Sequence, residues 1–333
     1  MKKLIVVLLL FLGVAVVALS FGELETTVAT LQKAHLRYLF IALALHTLWL
    51  LNIGLTYKSI YHLLGIEEGL QRITLVAAAS NFVNIVAPTG GVSGIALFAA
   101  EARQRGYPTG KATLAGALFL FVDQVGFLIV LALGWIVLIR RNDLNAGEIS
   151  ASLLLLAAAS IFGFLLFLGY RSADALGNAL ARIAHAINRA LRIFLHRDYL
   201  SEDRAHAFAA EVAEGLADLP EHSVRNLVRP LAYALINKTL LIGILVCAFL
   251  AFDVPFSAGT IIAGWAIGYL FLVVSPTPNG IGVVEGLMPL TLTSLRVPYE
   301  AAVVVTLAYR AVSFWWMLTV GAWAFRHLHL ANN

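Results

Sequence analysis

A chain of 333 residues that is 60% hydrophobic and only 13% charged is not a soluble domain, because soluble domains carry roughly 25% charged residues. Its mean hydropathy of +0.86 reads as an integral membrane protein. The net charge of +4 is small, so its placement matters more than its size, and the single cysteine, Cys247, rules out an intrachain disulfide.

In chain order, apolar runs of spanning length fall at Leu4–Ser20, Leu36–Tyr57, Ala112–Ile139, Ser150–Tyr170, Leu227–Phe252 and Ala301–Arg326. Each is near the ~20 residues that a helix needs to cross ~30 Å of hydrocarbon. The first run, led by Lys2 and Lys3, reads as an anchor helix or as a cleaved signal peptide. Two further apolar regions are broken: 73–105 by "APTGG" (Ala87–Gly91) and 257–295 by "SPTPNG" (Ser275–Gly280). Short arms around a Pro/Gly break predict re-entrant hairpins, the alternative being two tilted helices joined by a surface turn. Between the halves, 171–226 is polar and basic. It predicts cytoplasmic amphipathic helices along an anionic leaflet, or a solvated linker, with a helix start at Ser201–Arg204.

The expected fold is therefore an all-α polytopic membrane protein with about six spanning helices and two re-entrant hairpins. Its parts are an N-terminal anchor and external segment (1–35), a first transmembrane repeat (36–170), the cytoplasmic segment (171–226) and a second repeat (227–333). Of the 23 Lys and Arg, 16 fall in segments that this threading places inside and 5 outside, with Lys238 and Arg310 in spans. That bias predicts N-in and C-in termini in a bacterial-type cytoplasmic membrane. Span, hairpin and span recur in both halves with opposite starting sides. "PTGG" at Pro88 answers "PTPNG" at Pro276, and Asp123 follows the first proline by 35 residues as Arg310 follows the second by 34. An inverted repeat with Gly/Pro-interrupted segments points to a transporter with its site near the midplane.

"SPTPNGIGVVEG" followed by "RVPYEAAVVVTLAYRAVSFWW" resembles the second-half signature of the lysylphosphatidylglycerol synthase/flippase transmembrane family. Pro278, Gly280, Ile281, Gly282, Glu285, Tyr309 and Arg310 fit that pattern. Asn279 departs from it, standing where the family often has glycine. "NIVAPTGGVSG" (Asn84–Gly94) resembles the first-half motif, and the resemblance covers nearly the whole chain. It implies a protein that moves lipid, such as aminoacylated phosphatidylglycerol or other lipid-linked cargo, between leaflets. One branch of the family fuses this domain to a cytosolic aminoacyltransferase. The sequence ends at Asn333 without one, so the chain itself is not expected to make aminoacyl lipid.

The breaks also carry chemistry of their own. A broken backbone at membrane depth must be buried or must line a wet cavity. Gly90, Gly91, Gly280 and Gly282 let the chain turn and let a ligand come close. Helices beginning near Val92 and Ile281 would present free N–H groups suited to a phosphate. Four ionisable residues lie within the apolar regions: Asp123, Lys238, Glu285 and Arg310. Burying each costs at least ~2.5–3.5 kcal/mol, which makes them functional candidates. Arg310 suits a phosphate clamp, and Lys238 beside Asn237 a point charge. The alternative is that Glu285–Arg310 and Asp123–Lys238 are structural ion pairs, and both roles can coexist. Ser80, Asn81 and Asn84 share one face of the first arm, as cavity lining or as helix–helix hydrogen bonds. His46 with Trp49 reads as packing, Trp315, Trp316 and Trp323 as interfacial or packing aromatics, and Glu101 with Arg103 as a solvated pair.

No metal-ligand spacing appears among the nine histidines, and neither a phosphate loop nor an HExxH motif is present. No cofactor or catalytic residue is therefore expected, and the leading reading is a transporter rather than an enzyme. Its expected substrate site comprises Arg310, Glu285, Lys238, Asp123, Asn237, Tyr309, Gly280, Gly282, Asn279, Gly90, Gly91 and Asn84. The expected partners are membrane lipids, an anionic phospholipid or a polyprenyl-phosphate lipid, with a separate lipid synthase or glycosyltransferase and no nucleic acid. The competing readings are a membrane-embedded enzyme, with Glu285 or Asp123 as general base, and a non-transporting subunit that docks a synthase through the basic segment.

Overall fold

The computed structural model describes residues 34–86, 92–141, 146–195, 202–217, 227–275 and 277–331. The expected span Leu4–Ser20 and the first break, with Gly90 and Gly91, lie outside these residues. Among the described residues the chain is helical throughout, with no strand. The first half contributes α1 (Leu36–Leu63), α2 (Leu70–Val86), α3 (Val92–Gln104), α4 (Thr109–Arg141) and α5 (Ala146–Arg171). Two connecting helices follow, α6 (Ala173–Leu195) and α7 (Glu202–Ala217). The second half has α8 (Val228–Ala251), α9 (Ala258–Val274), a 3₁₀ turn at Pro278–Gly280, α10 (Val283–Ser294) and α11 (Tyr299–Arg310). A π-helical turn, Ala311–Trp316, joins α11 to α12 (Met317–Ala331).

Among the described residues, four helical stretches are long and apolar enough to cross a bilayer: Leu36–Leu63, Thr109–Arg140, Val228–Ala251 and Tyr299–Leu328. They cover four of the six expected spans, all but the terminal residues Leu227 and Phe252. The fifth, Ser150–Tyr170, falls within α5, whose apolar part, Leu155–Arg171, is shorter, as are α2 and α9. The arms expected at 73–105 and 257–295 are α2 with α3 and α9 with α10.

Packing between the halves is reciprocal. α1 and α8 run antiparallel against each other: the His35 amide donates to the Ala251 carbonyl at 2.8 Å at one end, and Asn52 Nδ2 donates to the Tyr233 carbonyl at 2.8 Å nearer the other. α2 of the first half packs on α12 of the second, and α9 of the second packs on α4 of the first. Each crossing is tight enough to require glycine. A β-carbon on Gly321 would lie 2.8 Å from the Ala78 carbonyl oxygen, and one on Gly134 would lie 2.9 Å from the Ala266 β-carbon. Lipid gives apolar helices no hydrophobic drive to associate, so close backbone approach through small residues supplies the contact. Two apolar clusters fill the bundle. One, around Phe127, Phe249, Trp265 and Leu292, joins α4 to α8, α9 and α10; the other, around Ile60, Ile73, Phe98 and Leu114, joins α1 to α4. Phe40, Ile139, Phe164 and Trp323 face outward, an apolar exterior suited to lipid rather than water. Trp315 and Trp316 are also on this outer surface.

The connecting segment is more than a linker. α6 and α7 form a hairpin, and α7 docks on the start of α4, where Thr113 Oγ1 donates to Glu211 Oε2 at 3.0 Å. Gly110 lets the Glu211 backbone come close: its β-carbon would sit 2.6 Å from that carbonyl oxygen. α7 begins at Glu202, within the expected helix start. The Glu101–Arg103 pair is corrected: Glu101 is buried and pairs with Arg72 on α2, whose Nε donates at 2.8 Å, while Arg103 is exposed. Burial of a carboxylate demands a partner it can reach, and α2 brings Arg72 across the hairpin to supply one.

Candidate functional site

The second break is built from residues with positive φ. Asn279 sits at φ 49°, ψ 33°, Gly280 at φ 70° and Gly282 at φ 80°. Asparagine is among the few residues that adopt this region readily, so the departure from glycine at 279 is conformationally permitted. Gly280 has a steric requirement too, since a β-carbon there would lie 2.6 Å from Val284 Cγ2. The turn contacts α2, so the second break abuts the first hairpin.

α10 starts just beyond, and its first turn is closed by its own glutamate. Glu285 Oε2 accepts from the Gly282 amide at 2.8 Å, which forms half of a capping box. The other oxygen, Oε1, accepts from Arg310 Nε at 2.6 Å. Arg310 Nη2 donates to the Asn279 carbonyl at 3.1 Å, and the guanidinium lies 4.7 Å from the Phe314 ring centroid. One arginine on α11 thus holds both the broken backbone and the carboxylate that caps α10. Arg310 is 2% exposed. Its hydrogen bonds and ring contact offset the desolvation of the charge only while an anion, here Glu285, occupies its Nε face.

The first break has a neutral analogue. Asn84 Oδ1, at the end of α2, accepts from the Gly94 amide in the first turn of α3 at 2.7 Å. Ser80 Oγ donates to the Gly94 carbonyl at 3.3 Å, while Asn81 turns back to its own helix and donates to the Ala77 carbonyl. Of the three polar residues on that face, two join the arms of the hairpin and one does not. Each described hairpin therefore has an amide of its second helix's N-terminal region, expected to be free, accepted by a side chain.

Lys238 and Asp123 form the second pair. Lys238 Nζ donates to both Asp123 oxygens at 2.7 Å and to the Tyr269 hydroxyl at 3.2 Å. It is buried, whereas the Asp123 side chain keeps 23% of its surface. The adjacent Asn237 extends this polar core toward α1. Asn52 Nδ2 donates to Asn237 Oδ1 at 2.7 Å, and Asn237 Nδ2 donates to Thr56 Oγ1 at 3.4 Å. Tyr309 lies beside Arg310 in sequence, but its hydroxyl accepts from Trp265 Nε1 at 3.0 Å and so belongs to the α9 interface. His46 packs against Trp49, with ring centroids 4.8 Å apart.

The expected site residues thus fall into three groups: Glu285, Arg310, Asn279, Gly280 and Gly282; Asp123, Lys238 and Asn237; and Asn84 at the first hairpin. Gly90 and Gly91 are outside the described residues. Sequence reasoning missed Tyr269, Phe314, Asn52 and Thr56. The last two carried a signal, as polar residues four apart in an otherwise apolar span, whereas an aromatic partner leaves none.

The family model described as the lysylphosphatidylglycerol synthase TM region matches residues 4–321. The chain belongs to this family. As a member of the lysylphosphatidylglycerol synthase transmembrane family it is an integral membrane protein, in keeping with the four crossing-length helices and the apolar exterior. Comparison with curated proteins finds no match.

Proposed function

We propose that this family member is a flippase-like transporter that moves an anionic phospholipid or another lipid-linked headgroup between leaflets. One observation carries the reading. Glu285 uses one oxygen to accept from Arg310 and the other to accept from an N-terminal amide of α10. A guanidinium together with a helix N-terminus is a site for a phosphate. The internal carboxylate stands where two phosphate oxygens would, so an arriving headgroup can displace it without leaving Arg310 unpaired. In this reading the Glu285-bound arrangement is the closed, self-satisfied state, and cargo substitutes for Glu285.

The packing supports two inverted halves. α2 on α12 and α9 on α4 are related contacts, and Gly134 follows Asp123 by 11 residues just as Gly321 follows Arg310 by 11. An inverted repeat of this kind is the construction of alternating-access transporters, with α2–α3 and α9–α10 as re-entrant hairpins. The reading is transport rather than catalysis because Asp123 and Glu285 are held in ion pairs. The crowding of basic residues at the α6–α7 end supports a cytoplasmic placement of that end, in a bacterial-type inner membrane. Membrane lipids are the partners, with a separate synthase supplying modified lipid.

The test is translocation of labelled anionic, zwitterionic and polyprenyl-phosphate lipids in proteoliposomes. Arg310→Ala should abolish movement, and Glu285→Gln should retain binding while slowing the return to the closed state. Normal transport by both variants, from folded protein, rules the site out.

A further inference from the structure

The end of the bundle where α1 finishes and α8 begins holds a cavity of about 540 Å³. Lys58 and His62 reach it from the last turns of α1, and Arg229 and Tyr233 from the first turns of α8. Lys58, His62 and Arg229 are exposed, and none of their side chains makes a hydrogen bond or ion pair among the described residues. Arg229 has only the Tyr233 ring beside it, with the guanidinium 5.9 Å from the centroid. On the acidic side, Glu68 is already engaged, accepting from Arg105 Nε at 2.8 Å and from the Gly69 amide at 2.9 Å. That leaves Glu67 against two permanent cations and a histidine. The N-terminus of α8 carries no side-chain cap, so its dipole adds to the positive field.

The floor of this cavity leads inward. Ser59 Oγ, in its lining, donates to the Thr56 carbonyl at 2.7 Å, and Thr56 Oγ1 donates to the Asn52 carbonyl at 2.8 Å. Asn52 bonds both the Tyr233 carbonyl and Asn237, which neighbours Lys238. A polar ladder thus runs down the α1–α8 seam from the basic cavity to the Lys238–Asp123 pair. From Lys58 to Asn52 it covers about 9 Å of helix, at 1.5 Å per residue over six residues.

We infer that this cavity is a phosphate-binding vestibule, in which Lys58 and Arg229 hold the phosphate of a headgroup, assisted by His62, at the mouth of the seam. Its size fits a glycerophosphate headgroup rather than a bare ion, since ligand sites begin near ~300 Å³. The cations are unengaged and the ladder offers a descending series of hydroxyls and amides. Binding at the vestibule stands apart from transport; only the onward path down the ladder rests on the proposed function.

The test uses the full chain in neutral detergent, titrated with short-chain phosphatidylglycerol, with inorganic phosphate and with phosphate-free diacylglycerol of the same chain length. Wild type should bind the phospholipid, with affinity falling as salt rises. Lys58→Ala/Arg229→Ala should weaken binding at least tenfold, the loss expected when charge-assisted contacts are removed. The charge-conserving exchange Lys58→Arg/Arg229→Lys should restore most of it, which a misfolded double variant could not explain away. Inorganic phosphate that competes as well as the phospholipid identifies a free-phosphate site; weak competition identifies a lipid headgroup site. Unchanged binding in the alanine variant, or equal binding of diacylglycerol, overturns the proposal. Lipid binding without movement in proteoliposomes would refute transport and leave the vestibule standing. Movement with no vestibule binding would do the reverse.

Discussion

Removing one member of the Asp123–Lys238 pair should destabilise the protein by an amount that depends on which member is removed. The ammonium is buried and the carboxylate retains 23% exposure. Asp123→Asn removes the countercharge and leaves Lys238 with one neutral amide oxygen, the Tyr269 hydroxyl at 3.2 Å and the Tyr269 ring centroid at 4.6 Å. Breaking a buried pair this way costs about 3–5 kcal/mol. Lys238→Met strands instead a carboxylate with room to take a water, so its cost falls to about 2 kcal/mol. The double variant Asp123→Asn/Lys238→Met leaves no stranded charge and should be more stable than Asp123→Asn alone. Cys247 provides the assay: it is the chain's one cysteine, it is 6% exposed, and it lies on the same helix as Lys238. A thiol-reactive dye will report its exposure as the bundle melts. With roughly 2–4 °C per kcal/mol for chains of moderate length, Asp123→Asn should lower the midpoint by about 10 °C and Lys238→Met by about half that. Equal shifts for the two single variants, or a double variant that melts below Asp123→Asn, would refute the reasoning.

Other outcomes follow from the same geometry. Gly134→Leu and Gly321→Leu each drive a branched side chain into the facing helix, where even a β-carbon lies within 3 Å; overpacking of this kind costs about 1–3 kcal/mol or more, visible as loss of the monodisperse peak in size-exclusion chromatography. Asn279→Val forces a β-branched residue into φ 49° and should lower the thermal midpoint by the equivalent of about 1–2 kcal/mol, whereas Asn279→Gly should be nearly neutral. Asn84→Ala leaves the Gly94 amide without its acceptor, an expected loss of about 1–3 kcal/mol together with faster hydrogen exchange at the start of α3. Thr113→Val removes the hydroxyl bonded to Glu211 and should raise amide exchange in α7 while leaving α8 unchanged.

Much of this architecture was legible because a bilayer permits few solutions. Spans show as apolar runs, and the Pro/Gly breaks show because nothing else interrupts such runs. Glu285 and Arg310 stood out as charges where charge is costly, but their pairing was one of two readings, since Lys238 offered a second base in the same half. The fate of the Glu285 side chain was not legible. Nothing in the spacing said that its second oxygen would close the helix expected to be open. Glu101 was misassigned because its true partner, Arg72, is 29 residues away and reaches it only once α2 and α3 fold back on each other. The docking of α7 on α4 was hidden for a similar reason: it depends on Gly110 admitting a backbone carbonyl, a contact between two surfaces that each look unremarkable alone.

The wide turn at Ala311–Trp316 has a geometric consequence. Along α4, the eleven residues from Asp123 to Gly134 complete about three turns, so both point in one direction. The eleven residues from Arg310 to Gly321 pass through the π turn, which takes up about one additional residue. Gly321 therefore trails Arg310 by an extra rotation of about 100°. The halves agree in count and disagree in phase, like two screws of equal length cut with different threads. Asp123 accordingly reaches across to the opposite half, while Arg310 stays within its own.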